Sequence, residues 1–407
     1  MRLPIYVKNC IARLESAGFS AYAVGGAVRD GLLGLEPSDW DVTTSATPDE
    51  ILSVFQNDRT IPTGIKHGTV TVLFENGGDL YPIEITTFRI DGKYNDARHP
   101  ESVSFSKNVR DDLSRRDFTI NAMAYNEKEG IIDAFEGMKD LERGVIRTVG
   151  DAKQRFSEDA LRILRAFRFS AQLGFEIEES TFEGAIFCSH LLKNVARERI
   201  GVEFKKLLVS KGVVYALTKM IRGGVFEAVF EIPVPSTSLV DGLSRLECNN
   251  AFARMSVLLS DESEEKINGF LDSLRLSNAE KKLVQRLISI KCFDTEGQKL
   301  DFVARRFLHL YGDVFDPAVH LFKYYFADKP ELFAVIESER EKKRALTIRS
   351  LAVRGNDLLP LCKSDHKMVG LLLNELLERV IEEPTLNEKE KLILLAEKLI
   401  EEKEKRT

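Results

Sequence analysis

Between residues 21 and 90 the apolar positions alternate with polar ones, the period of a half-buried strand. In GTVTVLFE, residues 68–75, Val70, Val72 and Phe74 share one face against Thr69, Thr71 and Leu73. In YPIEITTF, residues 81–88, Ile83 and Ile85 oppose Glu84 and Thr86. The NGG at 76–78 between these runs is a hairpin-turn signal. Shorter strands are expected at 21–25 and 39–43. An amphipathic helix, with Ile5, Ile11 and Leu14 on its apolar side, precedes them. From about residue 151 the period changes to that of helices. SEDALRILRAFRFSAQLGF offers Ser157 as N-cap, Leu161, Leu164, Phe167 and Leu173 as an apolar stripe, and Gly174 as a stop. The segments RERIGVEFKKLLVSKG, EEKINGFLDSLRL, NAEKKLVQRLISI and HKMVGLLLNELLERVIEE continue in the same period. The pattern predicts an α+β N-terminal domain, with a small mixed or antiparallel sheet, followed by an all-α remainder.

At 407 residues the chain exceeds one ordinary core. Its 30% charged and 43% hydrophobic residues are an ordinary soluble composition, with no apolar run of membrane-spanning length and no signal-peptide core. A cytoplasmic protein without a membrane partner is expected. The five cysteines, an odd number with no C-x-x-C pair, favour a reducing compartment and argue against a zinc site. A net charge of −6 means that any nucleic-acid partner must meet a local basic surface.

Four short constellations carry candidate chemistry. Asp39 and Asp41 flank Trp40 on an expected strand, which places both carboxylates on one face, ~6.5 Å apart. Such a pair repels itself unless cations intervene. Oxygen ligands on a rigid strand suit Mg²⁺, and a two-metal site holds its ions ~4 Å apart. Glu84 is a candidate third carboxylate. Taken alone, D-x-D also describes a polar strand edge. Gly25 and Gly26 leave a strand and open a helix, where backbone amides can cradle a triphosphate with Arg29 one turn on; a plain tight turn has the same letters. In RRDFTINA, Arg116 offers a phosphate fork and Asp117 an acceptor for a ribose hydroxyl, or the group is a surface ion pair. Asp159, Arg162, Arg165 and Arg168 recur every third residue, drifting ~60° per step into a winding ridge. Asp159 accepts from an exocyclic amine and Arg162 donates to ring acceptors, a pattern that fits cytosine and adenine and rejects uracil and guanine. A salt-bridged helix surface is the plainer alternative.

With G-G-x-V-R-D at 25–30, D-x-D at 39–41, R-R-D-F-T-I-N-A at 115–122 and E-D-x-x-R at 158–162, in that order, the chain resembles the class II tRNA nucleotidyltransferases. These are the CCA-adding and poly(A) polymerase family of the polymerase-β-like superfamily. RERIGVEF, at 197–204, resembles the neck motif that follows, and TGIKHGTVTV and EITTFR fit the head. The second half matches loosely, through LAVRGNDL and LNEKEKLILLAEKL. The resemblance implies a head at 1–150, a neck at 151–212, a body at 213–330 and a tail at 331–407. It implies template-independent addition of C, C and A to the tRNA 3′ end from CTP and ATP, with Asp159 and Arg162 templating the base.

The segment at 89–105, RIDGKYNDARHPESVSF, resembles the flexible loop that CC-adding members lack, which disfavours CC-only activity. A-addition alone and bacterial poly(A) polymerase activity remain alternatives, as does a non-catalytic nucleotide- or RNA-binding protein. The retention of both Asp39 and Asp41 favours an enzyme over the last. The acceptor arm of tRNA would be held through phosphates and shape. The candidate basic contacts are Lys205 and Lys206, and Lys342, Lys343 and Arg344, each of which is equally readable as solvated helix face.

Overall fold

The computed structural model describes every residue except 93–102, 231–233, 363–364 and 405–407. The chain divides into two compact units, Met1–Val240 with Ser263–Ser277, and Asp241–Glu262 with Asn278–Thr407.

The first unit begins with α1 (Ile5–Ser16), which buries Val7, Cys10, Ile11 and Leu14. Ile5, expected on that stripe, is exposed. It lies two residues before Val7, about 200° around the helix. There follow β1 (Ala21–Val24), α2 (Gly26–Leu32), β2 (Trp40–Thr44), α3 (Pro48–Val54), β3 (Arg59–Gly64), β4 (Thr69–Asn76), β5 (Asp79–Thr87), β6 (Arg89–Asp91), β7 (Val103–Phe105), α4 (Val109–Ser114), β8 (Met123–Asn126) and β9 (Gly130–Asp133). Seven strands form one sheet in the order β3-β4-β5-β2-β1-β8-β9. It is mixed, because β2 and β5 run parallel while the other neighbours are antiparallel. The expected hairpin joins β4 to β5, with Asn76 opposite Asp79. Gly77 and Gly78 both take positive φ, 65° and 91°, as a two-residue turn with the twist of the strands requires. β6 and β7 form a separate antiparallel ribbon. The centre of the expected mobile loop, 93–102, lies outside the described residues.

One face of the sheet buries Val42, Val70, Val72, Ile83 and Ile85, with α1 and α3 packed against the strands. Each such side chain contributes ~1.5–3 kcal/mol on leaving water. On the other face Tyr22, Val24 and Ala124 form a cluster with Phe88, Leu113 and Val149.

After α5 (Gly137–Arg143) strands are reduced to one short parallel pair, β10 (Val145–Ile146) and β11 (Glu176–Ile177). The helices α6 (Ala152–Glu158), α7 (Leu161–Leu173), α8 (Glu179–Cys188), α9 (Arg197–Leu208), α10 (Val213–Arg222), α11 (Val225–Phe230) and α12 (Thr237–Gly242) follow. Ser157 is not the N-cap of α7. It lies inside α6, its hydroxyl bonded to the Gln154 carbonyl, and the chain turns at Asp159, whose Oδ1 accepts from the Leu161 amide. Ala160 occupies the N-cap position, and the Asp159 carboxylate takes up the Leu161 amide from the residue before it. Gly174 ends α7 with φ 72°, as expected. α13 (Ala251–Leu258) belongs to the second unit, and α14 (Glu264–Ser273) returns to the first. Phe204, Phe230 and Phe270 bring α9, α11 and α14 together, with ring centroids 4.5–6.1 Å apart.

The second unit contains α13, α15 (Asn278–Ile288), α16 (Leu300–Tyr311), α17 (Phe315–Tyr325), α18 (Pro330–Glu341), α19 (Gly355–Leu358), α20 (His366–Glu382) and α21 (Lys389–Glu404). Phe293, Phe307 and Phe322 form one aromatic core. Leu358, Leu372, Leu376, Val380, Leu392 and Ala396 form another. Arg305, on α16, donates to the Ile381 and Glu382 carbonyls at 2.6 and 2.9 Å, satisfying the orphan acceptors at the end of α20. All five cysteines are free thiols. Among the described residues no helix is long and apolar enough to cross a membrane.

Candidate active site

The parallel pairing of β2 and β5 sets Asp41 directly opposite Glu84. Trp40 and Val42 are buried on one side of β2 and Asp41 faces the other. Asp39 stands one residue before the strand, not within it, and its Oδ1 accepts from the Ser38 hydroxyl. Asp41 is open to solvent by area but closely ringed by protein atoms. Burial pushes its carboxyl up to about 6; the Arg116 charge opposes this, and the Glu84 and Asp39 charges add to it. Three acidic groups and one arginine thus share a field that penalises ionised Asp41, as a site built to receive a cation should.

Arg116 follows α4 and is held from behind. Asp112, fully buried, accepts from Arg116 Nη2 at 3.2 Å and from Arg115 Nε and Nη2 at 3.0 and 2.6 Å. Thr43 of β2 donates to the same carboxylate at 3.2 Å. The two arginine charges hold the Asp112 carboxyl low against the effect of burial. The ion pairing of Arg115 and Arg116 is therefore with Asp112 and not with the adjacent Asp117. Arg116 Nε is buried and has no hydrogen-bond partner among the described residues. A Cβ on Gly25 would stand 3.0 Å from Arg116 Nη1, and Gly25 has φ 79°. Only glycine gives both that turn and that approach. Gly26 opens α2 beside it.

Arg29 points inward instead of toward this opening. It is 4% exposed, donates to Asn121 Oδ1 at 2.7 Å and to Asp30, and lies 5.0 Å over the Phe169 ring. Phe169 also carries Arg165 at 5.2 Å and Arg168 at 3.9 Å, so three guanidinium groups surround one ring.

Asp117 is committed as well. It accepts from Arg165 Nε at 2.8 Å, Asn121 Nδ2 at 3.2 Å and its neighbour's amide at 2.8 Å. Burial would raise its carboxyl, but the Arg165 and Arg162 charges and these bonds hold it down at about 2. Arg168 is buried against Glu203 of α9 and donates to Gln172 at 2.8 Å.

Asp159 sits at the corner between α6 and α7, off the helical ridge expected of it. Its Oδ2 accepts from Arg199 of α9 at 2.9 Å. Arg162 donates to Glu158 at 3.0 Å and to the Arg115 carbonyl at 2.9 Å. Each keeps capacity: a lone pair on the carboxylate, further N–H groups on the guanidinium. Asp112, Asn121, Phe169, Arg199 and Glu203 are the partners that spacing did not single out. Arg199 and Glu203 lie in RERIGVEF, a segment that the sequence marks without saying which letters face α7.

Of the basic residues, Lys206 is exposed at the end of α9. Lys342 and Arg344 both bind Glu339, 1% exposed, at 2.6 and 2.9 Å. Lys343, between them, is exposed, with φ 48°.

Residues 21–147 match the family model of the poly A polymerase head domain, and residues 174–237 that of a probable RNA and SrmB-binding site of polymerase A. The CCA-adding enzyme of Ligilactobacillus salivarius is 36% identical over 97% of this chain and 96% of its own. That of Anoxybacillus flavithermus is 37% identical over 94% of each. The crystal structure of the Bacillus stearothermophilus CCA-adding enzyme in complex with CTP covers all of both chains, with a TM-score of 0.84 at 28% identity. Carboxylates, glycine turn and arginine cluster stand on a scaffold shared over its whole length with these enzymes, and the chain belongs to the CCA-adding enzyme family of tRNA nucleotidyltransferases.

Proposed function

We propose that this protein adds C, C and A to the 3′ end of tRNA, from CTP and ATP, in the cytoplasm where such tRNAs are matured. The observation that carries the reading is the placing of Asp39, Asp41 and Glu84 beside the Gly25 turn and Arg116. The reaction joins the RNA 3′-hydroxyl oxygen to the α-phosphorus, breaks the bond to the bridging oxygen, and releases the hydroxyl proton and pyrophosphate. Asp39 and Asp41, with Glu84 as third carboxylate, are the oxygen donors that would hold Mg²⁺, and their crowding suits them to it. Bound there, the cation would supply charge neutralisation at the reacting phosphate and lower the pKa of the attacking hydroxyl. Arg116, with its unpartnered buried N–H, and the Gly26 amide bind the triphosphate, while Gly25, its own amide on the Met123 carbonyl at 3.3 Å, supplies the turn. Asp117 orients Arg165 toward the nucleotide, and Arg29 and Arg168 brace that arrangement from within. Asp159 and Arg162 read the base edge through the capacity they retain. The head-to-neck boundary at 150 is supported by the change from sheet to helix after β10, and the boundaries at 212 and 330 follow the family resemblance alone.

A-addition alone and poly(A) synthesis are not favoured, because the relatives matched over the whole chain are CCA-adding enzymes. Incubation with tRNA lacking its 3′ end, CTP and ATP together with one of them labelled, and Mg²⁺ should give three added nucleotides, resolved one by one on a gel. Addition of A alone, or an extended A tract, would overturn the proposal.

A further inference from the structure

We propose that the second unit holds a zinc ion on Cys248, Asp316 and His320. One ligand atom from each lies within 4.8 Å of those of the other two. Asp316 and His320 are one turn apart on α17, so both project from the same side of the helix. Cys248 arrives from the segment before α13, which packs against α17. The lack of a C-x-x-C motif does not bear on this arrangement, because its ligands come from distant segments.

The surroundings fix the Cys248 backbone and the His320 ring. The Cys248 amide bonds the Leu246 carbonyl at 2.8 Å. Arg254, itself buried, donates to the Cys248 carbonyl at 3.0 Å and to Asn249 Oδ1 at 3.0 Å. These bonds fix the backbone that carries the thiol. His320 Nδ1 lies 2.7 Å from the Asp316 carbonyl oxygen. A carbonyl can only accept, so Nδ1 carries the proton and Nε2 keeps its lone pair. A backbone carbonyl holding the far nitrogen of a ligating imidazole is the usual supporting contact of a metal site. His320 also lines a cavity of about 400 Å³.

The donor set selects the metal. A thiolate, an imidazole and a carboxylate together suit zinc and are poor ligands for Mg²⁺. Cys248 loses its proton to solvent on binding, and the two negative charges match the cation's two positive ones. Three protein ligands leave a fourth position for water. The site would staple the 247–250 segment to α17, and it lies in the unit that carries none of the nucleotide-binding residues.

The test uses chelator-treated full-length protein in excess Mg²⁺, titrated with Co²⁺ and then Zn²⁺. One Co²⁺ per chain should bind with a near-ultraviolet thiolate charge-transfer band that Zn²⁺ abolishes, and Zn²⁺ should raise Tm. Cys248→Ser should lose the band. Asp316→Asn and His320→Ala remove more exposed ligands and keep the chain's packing, and each should weaken Co²⁺ binding at least tenfold. A wild-type protein without the thiolate band overturns the site. So does unchanged Co²⁺ affinity in both Asp316→Asn and His320→Ala, whatever the fate of the cysteine variant.

Discussion

Asp41 is a carboxylate whose ionisation the fold opposes, and this has a measurable sign. Its folded pKa, about 6, lies above the ordinary value of 3.8. The protonated form is therefore favoured by folding, and the contribution of Asp41 to the stability of metal-free protein should grow as the pH falls from 6 to 4. Asp41→Asn should remove that gain, hold its Tm at or above that of the metal-free wild type, and abolish nucleotide transfer. Thermal melts across that pH range, with and without Mg²⁺, check it; a wild-type turnover in Asp41→Asn would sink the metal assignment. Asp159 offers a second single-residue test. An acceptor facing uracil O4 leaves two acceptors opposed, a mismatch of ~1–3 kcal/mol, more where one is charged. Asp159→Ala should slow CTP and ATP use yet narrow the gap between CTP and UTP. The kcat/KM for all four nucleotides on truncated tRNA decides it. Full discrimination retained in this variant would mean that Asp159 only positions Arg199, its 2.9 Å partner.

At the scale of elements, the Asp117–Arg165 pair ties the turn after α4 to α7. Because the Asp117 carboxyl is held at about 2 in the folded protein, against 3.8 ordinarily, its contribution is present in full above pH 4. It is lost as pH falls through 2. The shift corresponds to about 2 kcal/mol at pH 7 and about half that at pH 3. Asp117→Asn should lower the urea midpoint at pH 7 and lose much of that deficit at pH 3. An equal deficit at both pH values would mean that the pair acts through shape alone. The same elements show why helical spacing misplaced Asp159. Three-residue periodicity continues from Asp159 through Arg162, Arg165 and Arg168, but the helix begins only at Leu161. A break between α6 and α7 costs the ridge its first member, and leaves Asp159 free to accept the Leu161 amide and to meet Arg199 of α9.

For the whole molecule, a net charge of −6 must be overcome locally by any surface that holds tRNA. If phosphates are contacted, affinity should fall linearly on a log–log plot against salt. Lys206→Glu and Lys343→Glu should each flatten that slope by ~1. Lys342 and Arg344 are poorer probes, because Ala there strips partners from the buried Glu339 at a cost of ~1–3 kcal/mol. Unchanged slopes in both reversals would place the RNA contacts elsewhere. The strands β1, β2, β4 and β5, the hairpin glycines and the Gly25–Gly26 turn were legible in the amino-acid order, because alternation and turn chemistry are local properties; β3, β8 and β9 of the same sheet were not, and Asp39 falls one residue before the strand expected to carry it. The change to helices near residue 151 was legible too. Which guanidinium groups face outward was not. Arg29 and Arg116 look alike in sequence, yet Arg29 is turned onto Asn121 and Phe169 while Arg116 is braced by Asp112 over Gly25. Each arginine's direction depends on a carboxylate, amide or ring brought by another element. Long-range pairing of β2 with β5 likewise set Glu84 beside Asp41, since register between distant strands comes from burial of their common face and not from either strand's own pattern.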